Sequence, residues 1–563
     1  MIPLLPSGRG RAACLWVGMP ALLALARPAA SQDFTGLALS NYAGTHAAYV
    51  NPSAIADSRY SAYLNVAALN ANFTNTYLQL NLRQRPWQRG FSMSKDDLTE
   101  QGGSGPYRGQ LTAEARLPSL LLTLGPRSAI AFTSRGRAFV RADNVSTSLA
   151  QLLRYGLDDA QRLGLANQLL TDNQVSLDAD AYHEFALTYA RTLTPATTHF
   201  FKAGLTLKYL VGLGNAYVRN DGLSFRVLDE TTLELQSRQF SYGLTDFKQY
   251  RHFSGLYGEQ ALGHGAGADL GLTYEWRPRA QEYTYEMDNA RLPDHQRNKY
   301  RLRLGLALTD LGAIGYRGAG VRQGELAAGP PRRLEQLDTI RFRTLQATEN
   351  TLQRLIGLRD RGQEYTSYLP VALRLTADYH LGGPLYAGLL WTQSLLPVRT
   401  IGSHTSSLLA LSPRLELRHL ELAVPLVLAD GYRRAQVGAM LRLGPLIVGS
   451  DNLGGLLGIT SATGADAYLG LALAIQRHRR QDRDHDGVSN KYDRCPRQKG
   501  TWASHGCAPP PPEPLASPPP AAAPEPPATT EPATPAPPPE APAPTAPAEL
   551  LPPPPPATPT PQL

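Results

Sequence analysis

Cysteine is almost absent from this 563-residue chain, which contains only three. Cys14 lies in an apolar N-terminal run that we expect to be removed on export, so the mature chain keeps Cys495 and Cys507. A lone pair, 12 positions apart in an exported protein, predicts one disulfide. A metal site made by two thiols is the alternative, although neither C-x-x-C spacing nor clustered histidine accompanies the pair.

Long uninterrupted apolar runs are also lacking. The most apolar stretch, residues 12–26, is interrupted by Gly18 and Pro20 and is too short for a membrane-spanning helix. Arginines precede this stretch, and the small residues at 29–31 follow it. This order is typical of a secretory signal peptide. We therefore expect residues 1–31 to direct export and to be cleaved off.

Signatures of catalysis and of nucleic-acid binding are missing as well. The chain has no G-x-S-x-G and no H-E-x-x-H, and its 12 histidines are scattered. Asp269 and Glu275 lie on one predicted strand, where we interpret them as charges of a barrel lumen rather than as an acid–base pair. Lysine and arginine are in excess but are not interleaved with aromatic residues. The sequence therefore predicts neither an enzyme nor a nucleic-acid-binding protein.

Apolar residues at alternate positions dominate the chain between residues 34 and 477. Clear examples are residues 203–211, 302–309, 371–379, 435–443 and 467–475. A period of two indicates strands with one apolar face. These strands are long enough to cross a bilayer, and tyrosines often lie near their ends. We predict an all-β fold, a transmembrane antiparallel β-barrel of about 14 strands over residues 32–477, in contact with outer-membrane lipid. A soluble β-protein with this face turned inward is the alternative.

Two segments interrupt the alternation. Residues 146–170 and 333–360 combine helical spacing with mixed charge. In a barrel they would be helical parts of long loops or a plug. Packing on the rim and a role in gating or partner recognition both remain open.

The segment 482–493 places oxygen-bearing side chains at loop positions 1, 3, 5, 9 and 12, with glycine at position 6. A hard cation needs this spacing when one short loop wraps it with oxygen ligands. Position 12 is aspartate instead of glutamate, whose longer side chain can bind through both oxygens. We predict a calcium site; a solvated acidic turn is the alternative. The predicted ligands, through side chains or the valine carbonyl, are Asp482, Asp484, Asp486, Val488, Asn490 and Asp493.

The calcium loop and the cysteine pair together resemble a thrombospondin type 3 repeat. This resemblance covers residues 482–507 and implies that the aspartates and the asparagine bind calcium beside a disulfide. We assign residues 478–507 to the repeat. Similar repeats connect barrels to peptidoglycan-binding domains in the outer-membrane protein A class, but no such domain is recognisable after residue 507.

The last segment, 508–563, holds 26 of the 47 prolines and no lysine or arginine. Such a composition cannot bury a core, so we expect an extended, disordered spacer. It is either inert or a tether to a periplasmic or peptidoglycan partner.

The segment before the first predicted strand is rich in small residues and ends in Asn51-Pro52-Ser53-Ala54. It resembles the N-terminal plug of long-chain fatty acid transporter-like barrels. The body as a whole resembles a family of Gram-negative outer-membrane barrels that has no established activity. That resemblance lies in residues 40–59, 263–278, 306–316, 368–381, 412–417 and 442–458.

These resemblances imply a location and suggest two functions. We expect an outer-membrane barrel with its C-terminal repeat and tail in the periplasm. The first function is passive transport of small apolar solutes, with a calcium-binding linker. The second is a structural envelope anchor, or an accessory of secretion or adhesion, whose tail tethers a periplasmic partner.

Overall fold

The computed structural model describes most of the mature chain. The described residues are 34–80, 97–103, 105–194, 198–246, 257, 261–327, 330–334, 359–457 and 463–508. The predicted signal peptide, 1–31, and all of the proline-rich tail except Ala508 lie outside them.

The described residues form a closed antiparallel barrel of 14 strands, as predicted. We number the barrel strands in chain order, joining two segments where a strand is briefly interrupted. β1 to β7 are Tyr60–Asn75, Tyr107–Arg116 with Ser119–Thr123, Ser128–Val145, Ser176–Thr192, His199–Val227, Gly263–Trp276 and Leu302–Arg317. β8 to β14 are Glu364–Tyr368 with Ala372–Gly382, Leu385–Ser394, Leu408–Glu416, Leu420–Ala423 with Leu426–Ala429, Arg434–Val437 with Ala439–Leu443, Leu446–Ser450 and Gly464–Gln476. β1 pairs with both β2 and β14, which closes the ring.

Shorter elements lie around this ring and inside it. Additional strands are Leu78–Leu80, Leu98–Glu100, Leu170–Asn173, Leu233–Thr245, Thr284–Met287, Ala290–Pro293, Val321–Ala327, Arg332–Leu334 and Arg359–Gly362. Within the described ranges the α-helices are Thr35–Ala38, Thr147–Tyr155 and Leu453–Leu457, and the 3-10 helices are Gly44–Tyr49, Pro52–Ile55, Ala280–Tyr283 and Trp502–Ser504. None of the helices in the described ranges is long and apolar enough to cross a membrane.

The helical prediction over 146–170 is right only for its first part, and the one over 333–360 lies mostly outside the described residues. In 146–170 the helix is confined to Thr147–Tyr155, capped by the Ser146 side chain, and Gly156 ends it with a φ of 92°. The rest of that segment consists of turns and the strand that starts at Leu170. Of 333–360, residues 335–358 lie outside the described residues, and the four that are described belong to strands.

The alternating pattern points its apolar face outward. On β5, Leu205, Leu207 and Tyr209 are 42–59% exposed, whereas Thr206 and Lys208 between them are at most 5% exposed. A closed ring satisfies the backbone hydrogen bonds that lipid cannot, so this arrangement can span a bilayer. The prediction of a transmembrane barrel is confirmed, and the soluble alternative is wrong.

The two ends of the barrel differ in the length of their connections. Short connections such as 124–127, 383–384 and 444–445 lie at one end, which we call the turn end. The first residue of β1 and the last of β14 pair there. The opposite, loop end carries the long connections. One long connection, 277–301, nevertheless lies at the turn end and contains the hairpin Thr284–Pro293.

Candidate functional site

Residues 34–59, which we call the plug, lie inside the barrel. Leu37, Ala43 and Ile55 are each at most 1% exposed, although the segment contains no strand. The contacts of the plug reach β2, β6 and the wall from β10 to β14. These strands lie on different sides of the ring, so the plug crosses the lumen.

The first residues of the plug are held by acidic side chains of the wall. The Thr35 backbone N–H donates to Asp451 Oδ2 at 2.9 Å. The Ser40 hydroxyl donates to Glu421 Oε2 at 2.7 Å. Asp451 and Glu421 are fully buried, so these bonds replace water that the carboxylates have lost.

Arg116 of β2 contacts the plug through its charge and its flat face. Its guanidinium lies 3.9 Å from the centre of the Phe34 ring and 4.5 Å from that of Tyr49. The same group is 2.7 Å from His46 Nδ1 and 2.6 Å from Glu114. Cation–π contacts strengthen where water is excluded, so this arginine stabilises three parts of the plug together.

The Asn-Pro-Ser turn singled out in the sequence docks on β6. Asn51 caps the following 3-10 helix, accepting from the Ser53 N–H at 3.0 Å. Its amide nitrogen donates to the Leu272 carbonyl at 2.9 Å. The Ser53 hydroxyl lies 2.7 Å from Thr273 Oγ1. Each polar atom of the turn therefore has a specific place on the wall.

Three wall glycines make room for this turn. Gly204 on β5 and Gly271 on β6 are register partners, and Gly305 lies on the adjacent β7. A Cβ on Gly204 would overlap the Pro52 backbone, and one on Gly271 would overlap the Asn51 side chain. Glycine within a strand commonly marks such a close approach. The patch was not recognised in the sequence, because three distant glycines acquire a shared role only once strand register is known.

The lumen beside the plug is filled by ion pairs. Asp310 is 2.6 Å from Lys208 and 3.3 Å from Arg135, and Lys208 is also 2.7 Å from Asp269. Glu275, like Asp269, is 2% exposed and points inward. Both carboxylates that the sequence assigned to the lumen therefore lie there.

A loop folds into the barrel from the loop end. Within the connection 395–407, the Ser403 hydroxyl donates to buried Asp180 at 3.2 Å. Arg219 donates to backbone carbonyls of the same loop at 2.8 Å. We call this segment the inward loop. The plug and the inward loop occupy the lumen from opposite ends.

An apolar and aromatic cluster lies between these two segments. Ile401 of the inward loop packs against it. A small cavity of about 40 Å³, lined in part by Phe139, borders this cluster. The buried members of the cluster are Phe139, Tyr182, Leu210, Tyr217, Leu262, Ile314, Tyr316, Val321, Tyr365 and Leu369.

The predicted calcium loop brings its first three acids together. Oxygens of Asp482, Asp484 and Asp486 lie within 4.8 Å of one another. Both Asp484 carboxylate oxygens and one of Asp493 are shielded from solvent and have no hydrogen-bond partner among the described residues. Burial and the neighbouring charge of Asp486 raise the pKa of Asp484. A cation would relieve this repulsion, so the donor set fits calcium.

The other predicted ligands differ from one another in exposure and in hydrogen bonding. Val488 is buried, while Asn490 is exposed and accepts a bond from the Arg483 N–H at 3.0 Å. Asp493 accepts from the Cys495 N–H at 2.7 Å through one oxygen and leaves the other free to bind. Their roles as ligands stay predictions. The disulfide between Cys495 and Cys507 is formed, as predicted.

The predicted calcium module, residues 478–507, packs on the hairpin of the turn end. The Asp288 N–H donates to the Gly487 carbonyl at 2.8 Å. The Asp288 carboxylate accepts from the Ser489 N–H at 2.6 Å and from its hydroxyl at 2.8 Å, and it pairs with Arg480. The module is therefore fixed to the barrel and is not a free linker.

Comparison with known proteins gives a family and a few distant structural similarities. No curated protein matches the chain. The toluene transporter TodX of P. putida is 10% identical with a TM-score of 0.34, over 78% of this chain and 95% of that one. A Pseudomonas aeruginosa FadL homologue is 10% identical with a TM-score of 0.20, over 76% and 90%. The family of unknown function DUF5723 matches residues 52–451, and the chain belongs to this family.

Proposed function

We propose that the protein is an outer-membrane channel closed by its own N-terminal plug. The observation that carries this proposal is the position of residues 34–59, which cross the lumen of a closed 14-strand ring. A ring of this size would otherwise enclose a wide interior. The plug is attached by hydrogen bonds and cation–π contacts, so it can leave its seat without breaking a covalent bond.

In outer-membrane barrels the short turns face the periplasm and the long loops face outward. This orientation puts the plug, the calcium module and the start of the tail at the periplasmic end. The inward loop would then be the first obstacle that an external solute meets.

Small apolar solutes are the proposed cargo. The cluster between the inward loop and the plug contains aromatic side chains such as Phe139, Tyr182 and Tyr365. Such a surface favours an apolar molecule over a hydrated ion. A solute would reach it only when the inward loop moves, and would leave it toward the periplasm only when the plug moves.

Substituting Gly271→Leu should loosen the plug. The added side chain would occupy the place of Asn51, because even a Cβ overlaps that side chain. We expect uptake of naphthalene by intact cells carrying the variant to rise severalfold over the wild type, and uptake of arabinose to rise less. Gly136→Leu is the matched control, because a Cβ at Gly136 meets nothing within 4 Å. Unchanged naphthalene uptake in a folded Gly271→Leu barrel would argue against the plug as the barrier.

Calcium binding by the module is a second part of the proposal. Calcium would neutralise Asp482, Asp484 and Asp486, and with the disulfide it would stiffen the joint between barrel and tail. Asp484→Asn should weaken calcium binding at least about tenfold, because affinity depends on the number of charged ligands. Glu286→Gln, an exposed carboxylate on the docked hairpin, is the control.

Chelation should also have a local effect. We expect removal of calcium to make residues 482–507 protease-sensitive while the barrel stays intact. Equal resistance with and without chelator would contradict the calcium site.

An envelope anchor is the alternative function. It is favoured by the fixed module and its disulfide, which would hold the base of the tail firmly against the barrel. Deleting residues 508–563 distinguishes the two functions. Loss of envelope integrity with normal naphthalene uptake would favour the anchor.

A further inference from the structure

Positive charge gathers in the cavity between the plug and the turn end. The cavity measures about 100 Å³. It is lined by the end of the plug, by the parts of β5 and β6 nearest the turn end, and by residues 295–303. Arg297 at its edge is exposed, so the cavity communicates with solvent at the turn end.

Two carboxylates form the salt bridges to most of the cations in this cavity. Glu275 is 2.7 Å from Lys202 and also pairs with Arg277. Asp57, at the end of the plug, is 2.8 Å from Arg277 and 3.6 Å from Lys299. Each carboxylate is therefore shared, and neither neutralises one cation alone.

Other cations near this cavity have no carboxylate of their own. Arg59 is 9% exposed and contacts the Asn298 side chain and the Tyr42 ring, and none of the described carboxylates lies within salt-bridge distance of it. Arg477 is close enough to interact electrostatically with Asp57. Its buried Nη1 has no hydrogen-bond partner within the described ranges.

The local charge balance is therefore positive. Four lining cations face two carboxylates, an excess of two charges, and Arg477, which lies outside the lining but interacts with Asp57, adds a third. The four are Arg59, Lys202, Arg277 and Lys299; the two other lining arginines, Arg297 and Arg303, pair with Asp294 and Asp378.

Burial makes this excess unfavourable. It lowers the pKa of Lys299 and of His295, which stands 3.2 Å from Asp57. Burial alone would raise the pKa of Asp57, but Lys299, His295 and Arg277 hold it well below its usual value. Under-compensated cations in a solvent-connected cavity are the ordinary design of an anion site.

We propose that this cavity binds one small oxyanion, a phosphate or carboxylate group, between the plug and the turn end. Lys299 would be its main donor, with Arg59 contributing charge from the plug and Arg477 from outside the lining. The bound anion would link plug residues to the barrel and hold the plug in its seat. The site does not depend on which solute the channel carries.

Calorimetric titration of the purified full-length barrel with inorganic phosphate, at constant ionic strength, tests this site. We expect saturable binding of one phosphate per chain. Lys299→Met should weaken it at least about tenfold, because it removes a partly buried donor. Lys299→Arg should retain binding, and Arg291→Met, which removes an exposed cation from the neighbouring hairpin, should leave it unchanged.

A parallel titration with butyl phosphate distinguishes the source of the anion. Equal affinities would identify a free ion, and much tighter binding of butyl phosphate would identify the charged end of a larger amphipathic solute. Either result supports the site. Absence of saturable binding by both compounds, or equal losses in folded Lys299→Met and Arg291→Met, would overturn it.

Discussion

Deleting residues 34–56 should convert an electrically silent barrel into an open pore. We expect the conductance in planar bilayers to rise at least about tenfold, because the deletion removes the larger of the two segments that fill the 14-strand ring and lets water reach its charged lumen, with only the inward loop left. The deletion stops before Asp57 and Arg59, so it spares the charged residues that border β1. The heat-modifiable gel shift of a closed barrel should persist.

Deleting 508–563 is the matched control for this experiment. That segment begins after the described module, and we expect its loss to leave conductance at the wild-type level. A plug-deleted barrel that is folded yet no more conductive than the wild type would contradict the assignment of 34–59 as the barrier. It would place the barrier in the inward loop instead.

A second large effect is expected when a buried ion-pair network in the barrel wall is disrupted. Arg414 is 2.7 Å from Asp378 and 2.7 Å from Glu416, and all three side chains are at most 2% exposed. Arg414→Met leaves two buried carboxylates without their main counter-ion. We expect a loss of about 3–5 kcal/mol in the free energy of unfolding, measured by urea titration in detergent.

Arg418→Met is the control for this loss. Arg418 is an exposed arginine on the nearby turn, and we expect its replacement to change stability by less than about 1 kcal/mol. Similar stabilities of the two variants would mean that the lumen is hydrated and screens its charges.

The barrel was predictable because its signal is local. Alternation along single strands such as 302–309 indicated strands, and their length and the tyrosines near their ends indicated lipid outside. The convergence of Asp482, Asp484 and Asp486 was predictable for the same reason, because these three positions lie within five consecutive residues. Calcium binding by the loop stays a prediction.

The features that close and charge the lumen were not predictable in this way. Thr35 meets Asp451 across 416 positions, and Asp288 meets Ser489 across 201. Such pairs depend on how the ring closes and on the register of each strand, which no local period encodes. The anion cavity likewise joins residues from the plug, β5, β6 and the long turn, each unremarkable alone.

The helix prediction over 146–170 was right only for Thr147–Tyr155, for a related reason. Its apolar residues have helical spacing, yet Gly156 ends the helix, and the later leucines pack against the extension of β5 around Phe225 and Val227. Those apolar residues are buried by packing against a strand, so their burial does not require a longer helix.

A disulfide between the plug and the wall would test the central claim most directly. The side-chain oxygens of Ser53 and Thr273 are 2.7 Å apart, so the double variant Ser53→Cys, Thr273→Cys places two thiols in contact. We predict that this cross-link forms in the membrane of intact cells, that it blocks naphthalene uptake, and that a reductant restores uptake. Failure of the cross-link to form, or normal uptake with the cross-link complete, would contradict a plug that moves to open the channel.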